Sequence, residues 1–452
     1  MKASTKLMTS GSISKNIITF AIPIFLGSLF QQLYNAVDSI VVGNFVGKEA
    51  LAAVTSCGPL IFLLVGLFVG TFVGAGVVIS KYFGAGNMEK VKLAIHTSVA
   101  FALLSSVILT VAGYFSTPLI LKVMGTPESV YPLSKTYIQI FFLGITSLIM
   151  FNSASGILQA MGDSTHPLYF LMTASILNII LDLVFVIGLD MGVAGVALGT
   201  VIGQTVSALL SYRILLNTDE AYKVTIRDIK FDKEILKQIL QVGVPSGLQN
   251  SVISIANVFV QASVNSFGDI AMAGNGAFLR IQGFVFIPIT SFALSLTTFT
   301  SQNLGALEYD RVKKGAKFGI ITAMILSETI GVLLLIFAAP LISLFSQDTE
   351  VIAVGVLKSF YSCPFLFFMA LSHVMAGVYR GAGKSIVPMA VMFIIWCLFR
   401  VSFIVVALSI HRDIRILFAA YPLTWFMSAV VFVIYYFKVD WMGIKHNQLM
   451  KY

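Results

Sequence analysis

Long uninterrupted apolar runs dominate the chain, separated by short polar gaps that carry Gly, Pro and charge. The runs fall at roughly 16–42, 51–79, 94–115, 132–158, 167–188 and 193–212, and resume after a polar stretch at 238–266, 271–300, 318–338, 354–378, 386–408 and 416–437. A helix needs about 20 apolar residues to cross the hydrocarbon core, so the pattern predicts twelve spanning helices and an all-α integral membrane fold. Strands of a membrane barrel would be about ten residues long and alternate in polarity, and no such alternation is present. The first run follows a short basic segment, Met1 to Lys15, and continues to about Val42. It is too long for a signal-peptide core and ends in no small-residue cleavage site, so it reads as the first span.

The pattern also repeats. Gly84-Ala85-Gly86-Asn87-Met88-Glu89-Lys90-Val91-Lys92 returns as Gly305-Ala306-Leu307-Glu308-Tyr309-Asp310-Arg311-Val312-Lys313, 221 residues later. At the same offset Gly156, Gly162, Ser164 and Pro167 return as Gly377, Gly383, Ser385 and Pro388, while Pro23 and Asn35 match Pro245 and Asn257 at an offset of 222. Six spans per repeat is an even number, so both halves enter the membrane in the same direction and form a parallel repeat. The expected organisation is a six-helix lobe over 1–212, a cytoplasmic linker over 213–237 and a second six-helix lobe over 238–452. Two such bundles enclose a cleft, and rocking one against the other gives alternating access.

Composition agrees with the pattern: 58% of residues are hydrophobic and only 11% charged, too few to cover a water-soluble body. The net charge of +9 is spread through the gaps with no aromatic-interleaved basic patch, which excludes nucleic acid as the partner. The N-terminus, the even-numbered loops and the C-terminus (Lys438, Lys445, Lys451) hold 21 of the 29 Lys and Arg. Because cytoplasmic segments carry the basic excess, both termini are expected in the cytoplasm. Lys48, Lys122, Lys135, Lys358, Arg412 and Arg415 fall to the odd loops and their helix ends, and Arg280 and Arg400 lie within spans. From its compact loops the chain is expected in a bacterial cytoplasmic membrane. Cys57, Cys363 and Cys397 are widely spaced and form no CxxC pair, so neither a disulfide framework nor a metal site is expected.

Ionisable groups inside spans are costly and mark function by default. Asp38 lies deep in span one; Asp182 lies in span five with Asn178 one turn earlier on the same face, and Thr200 lies in span six. Carboxylates with amide and hydroxyl oxygens nearby can bind Na⁺, and can equally hold a proton, which burial and a second carboxylate favour. The alternative for each is a hydrogen bond that joins two helices. Polar residues along spans one and seven, with others in spans four and eight, are cavity candidates: Gln31, Tyr34, Asn35, Asn152, Asn257, Gln261, Arg280 and Gln282. Glu328 and Arg400 either line a cavity, pair locally or snorkel, and His373 reads as a core residue.

Catalytic motifs are missing. Gly381-Ala382-Gly383-Lys384-Ser385 looks like the end of a phosphate-binding loop, but Val378 stands where the motif needs Gly. No HExxH or GxSxG occurs, so no enzyme and no cofactor is expected, and transport must draw on an ion gradient unless a partner supplies ATP.

Together these features resemble the multidrug and toxic compound extrusion (MATE) family over nearly the whole chain. The resemblance rests on the two six-span halves, Pro23 followed by Asp38, the Gly84-Ala85-Gly86 block, Leu177-Asn178-Ile179-Ile180-Leu181-Asp182 with Thr200, and Phe278-Leu279-Arg280-Ile281-Gln282. It implies an antiporter that expels organic cations and other amphipathic compounds in exchange for H⁺ or Na⁺, with the coupling ion at Asp38, Asn178, Asp182 and Thr200. Another branch of the family keeps an acid in span seven, where this chain has Asn257 and Gln261, and the repeat partner of Asp182 is Phe403. Coupling is therefore expected in the N-half. The expected partners are small-molecule substrates and the lipid bilayer, and a monomer suffices because each chain holds a complete pathway. The alternative is a lipid-linked precursor flippase of the same two-lobe plan, for which extra spans and a more cationic centre would be expected.

Overall fold

The computed structural model describes residues 7–220 and 222–444, and among them every regular element is helical. Lys2, Lys6, Lys445 and Lys451, four of the basic residues used for orientation, lie outside the described residues. The predicted twelve rods are present: α1 (Ile13–Phe45), α2 (Lys48–Gly84), α3 (Met88–Val123), α4 (Tyr131–Leu143 with Ile145–Ala160), α5 (Thr165–Gly188) and α6 (Gly192–Asn217). The second set is α7 (Lys233–Asn265), α8 (Asp269–Gly305), α9 (Tyr309–Ile336), α10 (Thr349–Gly381), α11 (Ile386–Ile410) and α12 (Ile414–Lys438). Ten described helices are long and apolar enough to cross a membrane, and α4, bent by 48°, adds an eleventh. The remaining rod, α7, has the length at 33 residues, but Gln238, Gln241, Gln249, Asn250, Asn257 and Gln261 dilute its hydropathy.

The helices form two compact units. One holds Ile22–Gly247; the other takes Met8–Ala21 and everything from Leu248 onward. The chain thus changes unit twice within a helix, one residue before the repeat-matched Pro23 in α1 and two residues after Pro245 in α7. In the first unit the opening turns of α7 lie backbone to backbone on α2. A Cβ on Gly70 would stand 2.3 Å from Gly247 Cα, and one on Gly74 2.5 Å from Gly243 N. Small residues permit such close helix approach where no hydrophobic force drives helices together. The second unit places Ser295 of α8 against α1, its hydroxyl donating to Ile17 O at 3.0 Å.

The repeated blocks become matching turns. Gly86 (φ +70°) and its counterpart Leu307 (φ +60°) both adopt the left-handed conformation, as do Gly162 (φ +86°) and Gly383 (φ +75°). Leu307 pays the steric penalty that glycine avoids, so the turn geometry rather than the residue type is what the repeat keeps. Gly381-Ala382-Gly383-Lys384-Ser385 is one of these tight turns, closed by Lys384 N–H donating to Tyr379 O at 2.8 Å.

The polar stretch 213–237 is not the ordinary solvated connection that its charge suggested. Both flanking helices run into it, leaving 218–232 as the connection. Tyr222 and Val224 are buried against Ile235 and Ile239, and the start of α3 holds the backbone: His96 Nε2 accepts from Thr225 N–H at 3.0 Å and Thr97 Oγ1 from Asp232 N–H at 3.2 Å. Lys92 also reaches Asp228 at 3.0 Å and, by that hydrogen bond, holds its carboxyl below the usual range. Two buried apolar side chains and two side chains from α3 that accept backbone N–H groups hold the stretch, and Asp232 adds a turn of its own by accepting from Ile235 N–H at 2.9 Å.

Candidate functional site

The acid site forms on the α5–α6 hairpin of the first unit. Asn178 and Asp182 share one face of α5 because they are four residues apart. The facing stripe on α6 is Gly195, Gly199 and Gly203, also at four-residue spacing. A Cβ on Gly199 would lie 2.4 Å from Asp182 Oδ1, and one on Gly203 3.0 Å from Ala174 O, so the Asp182 carboxyl occupies the room that Gly199 leaves. Immediately after Asp182 the helix opens into a wider π-helical stretch, Leu183–Gly188, a distortion frequent at functional sites. Helix α1 brings Asp38 to the same place. Asp38, Asn178 and Asp182 are buried and Thr200 is half-buried.

Asn178 is the centre of the hydrogen bonding. In the amide orientation that satisfies both ends, its nitrogen donates to Asp38 Oδ1 at 2.9 Å and its oxygen accepts from Thr200 N–H at 3.2 Å. The amide also lies 3.5 Å from Asp182 Oδ1 and from Thr200 Oγ1. The two carboxyls are hydrogen-bond neighbours, yet two carboxylates bring only acceptors to such a contact. Their contact becomes a hydrogen bond when one of them carries a proton. Asp182 Oδ2 is buried and meets no donor among the described residues, an arrangement that leaves one positive charge to be supplied. The four residues proposed from the sequence thus come together and can accept one monovalent cation, as a shared proton or an oxygen-ligated ion. Among the described residues, no group of three or more His, Cys, Asp or Glu is placed to hold a metal.

Sequence reasoning missed three neighbours. Tyr137 of α4 is buried within electrostatic reach of both acids, Gln204 contacts the Tyr34 hydroxyl, and Gly199 makes the room. Only the glycine had a legible signal, the stripe at four-residue spacing.

The cavity candidates divide. Tyr34 is buried near Asp38, and its hydroxyl also contacts Gln31. Asn35 is exposed, and Asn152 turns back on its own helix to donate to Leu148 O at 2.8 Å. In the second unit Asn257 and Arg280 are exposed and Gln282 is half-buried. Gln261 accepts from Asn275 at 3.0 Å. Glu328 of α9 accepts from Phe367 N–H at 3.2 Å, at the start of the helical segment that resumes after the Cys363–Phe365 break in α10. It therefore caps a helix start with a favourable charge. Arg400 neither snorkels nor is exposed: it is buried, with Nε and Nη2 donating to Thr424 Oγ1 at 3.0 and 2.6 Å.

Known proteins show the same plan. The MatE family model matches the chain twice, at 23–184 and 245–406, starting points separated by the offset that relates Pro23 to Pro245. The probable multidrug resistance protein YoeA of Bacillus subtilis is 28% identical over 444 residues, covering 96% of this chain and 95% of its own length. A second probable multidrug resistance protein of that organism, YpnP, is 28% identical over 378 residues, 84% of each chain. A solved transporter of the MOP superfamily from Pyrococcus furiosus superposes over the full length of both chains with a TM-score of 0.90 at 23% identity, a likeness of fold. Two family matches that together span more than half of the sequence establish that the chain belongs to the MatE family of multidrug and toxic compound extrusion transporters.

Proposed function

We propose that this multi-pass membrane protein is an efflux antiporter that expels amphipathic compounds, organic cations among them, in exchange for a coupling cation bound at Asp38, Asn178, Asp182 and Thr200. Its place is a bacterial cytoplasmic membrane, with both termini in the cytoplasm. The observation that carries the reading is the buried contact between the Asp38 and Asp182 carboxyls, with Asp182 Oδ2 left without a donor.

The carboxyl contact is what points to the proton. Asn178 directs its N–H toward Asp38 and its oxygen accepts from Thr200 N–H. That oxygen keeps a second lone pair and lies 3.5 Å from Asp182 Oδ1 and Thr200 Oγ1, so the amide admits Na⁺ as well. One proton converts the carboxyl contact into a hydrogen bond without moving any neighbour. Its binding removes like-charge repulsion between α1 and α5 and changes how they pack. A ligand drives such a change only through different affinity for the two states; outward-facing protonation and inward-facing release supply that difference, and substrate leaves in the protonated state.

The test is ethidium efflux from proteoliposomes under an imposed proton or sodium gradient, wild type against Asp38→Asn. Proton-driven efflux in the wild type that vanishes in the variant is the expected result. A sodium gradient acting alone would transfer coupling to Na⁺, and efflux surviving in Asp38→Asn would remove the ion from this site.

A further inference from the structure

The second unit carries a basic centre where the first carries its acids. Lys358 of α10 is buried although the sequence placed it at a helix end, because α10 begins at Thr349 and puts it in the body of the rod. Its ammonium donates to Asn275 Oδ1 and stands 4.7 Å from the centroid of the Tyr421 ring. Arg400 stands at the same 4.7 Å from that ring and 5.0 Å from Trp396. Among the described residues no carboxylate lies within ion-pair distance of either cation. Two buried like charges without a counter-charge are strongly disfavoured, and are relieved when an anion joins them or when the ammonium gives up its proton.

Three further observations give this cluster the form of a site. At the 221-residue repeat offset Lys358 stands where Tyr137 stands beside the acid pair, and Tyr421 stands where Thr200 stands. The π-helical stretch Met392–Phe399 ends directly before Arg400, as the other begins directly after Asp182. A row of amides leads outward from the ammonium: Asn275 donates to Gln261 Oε1 at 3.0 Å, and Gln261 donates to the exposed Asn265 at 2.8 Å. Arg400 uses Nε and one N–H of Nη2 on a single hydroxyl, which leaves the Nη1–Nη2 end of the guanidinium to pair with a planar or tetrahedral anion.

We propose that Lys358 and Arg400 form an anion-binding centre that takes the carboxylate or phosphate of an aromatic, amphipathic substrate, with Tyr421 and Trp396 against its ring. The inference rests on the transport reading above and names the substrate class within it. Lys358 supplies a point charge, Arg400 a bidentate fork, and the aromatic faces accept the apolar body.

The experiment measures binding without any gradient, so that failure of the antiport reading leaves its result intact. Purified protein in zwitterionic nanodiscs is titrated with riboflavin 5′-phosphate and with riboflavin, which differ by the phosphate alone, and flavin fluorescence anisotropy is read. The phosphate ester should bind about 10- to 100-fold more tightly, the scale of charge-assisted hydrogen bonds. Lys358→Met and Arg400→Gln should each bring the ratio near one, and Arg400→Lys, which keeps the charge and loses the fork, should fall between. A thermal melt on each variant confirms folding, and the wild-type ratio decides the matter if a variant does not fold. Equal binding of the two flavins by the wild type, no binding of either, or an unchanged ratio in folded variants overturns the proposal. Loss of phosphate-ester binding when a third of the lipid is phosphatidylglycerol would assign the centre to a lipid headgroup and overturn the substrate assignment.

Discussion

Gly199→Ala is the smallest change that reaches the acid site without altering any of its four polar side chains. The added Cβ would stand 2.4 Å from Asp182 Oδ1, whereas ordinary van der Waals contact begins at 3.4 Å, so the carboxyl must retreat by about 1 Å. Asp182 is fully buried and contacts Asp38, so the retreat disturbs the carboxyl pair. Misplacement by about 1 Å can cost about 100-fold in a positioned reaction, and the same scale is expected for gradient-driven efflux. Overpacking itself costs about 1–3 kcal/mol, which a second variant separates from the effect on the ion site. Gly195→Ala sets its Cβ 2.9 Å from Phe185 Cβ on the same helix contact, with no acid oxygen among its near neighbours. Both variants should melt a few degrees low in detergent. Gly199→Ala alone should lose coupled efflux per folded molecule by about 10- to 100-fold. Equal efflux from the two variants would refute the claim that Gly199 exists to seat the Asp182 carboxyl.

Two further outcomes follow from packing. Gly74→Ala forces a Cβ to within 2.5 Å of Gly243 N and Ile239 O, backbone atoms that move only if α2 and α7 separate; its melting temperature should fall well below that of Gly76→Ala, whose Cβ meets its nearest atom at 3.6 Å. Glu328→Gln keeps an acceptor for Phe367 N–H and should retain wild-type efflux while losing the charge contribution at a helix start, about 0.3–1 kcal/mol, read as a small drop in the melting temperature.

The fold was legible because membrane crossing imposes its own arithmetic: twelve apolar runs became twelve rods, and the repeated Gly blocks became repeated turns. That the acids meet was legible for a related reason, since Asp38 and Asp182 are costly in an apolar run unless they find partners, and Asn178 shares a helix face with Asp182. What stayed hidden lay where sequence neighbours mislead. Lys358 looks terminal in the sequence because the apolar run starts only at about 354, though polar residues such as Thr349 and Glu350 readily open a helix at the membrane surface. The linker looked solvated because its charges are obvious and its two anchors, Tyr222 and Val224, are not. Glu328 looked intramembrane and unexplained because its partner is a backbone N–H, which every residue but proline carries.

The two halves keep a common frame and invert its charge. Asp182 gives way to Phe403 in the second half, and Tyr137 to Lys358, so one substitution removes an acid and another installs a base at related places. The inversion has an energetic consequence for transport. On the two proposals above, a proton moving inward at the first site would carry positive charge into a cell that is negative inside, and an anionic substrate moving outward would carry negative charge out. Both displacements are favoured by the membrane potential, by about 2.3 kcal/mol per charge per 100 mV. A proton exchanged for a monovalent organic cation, by comparison, moves no net charge and gains nothing from the potential. The proposed basic centre in the second half would therefore add, beside the cations of the antiport reading, ligands whose export the potential itself drives.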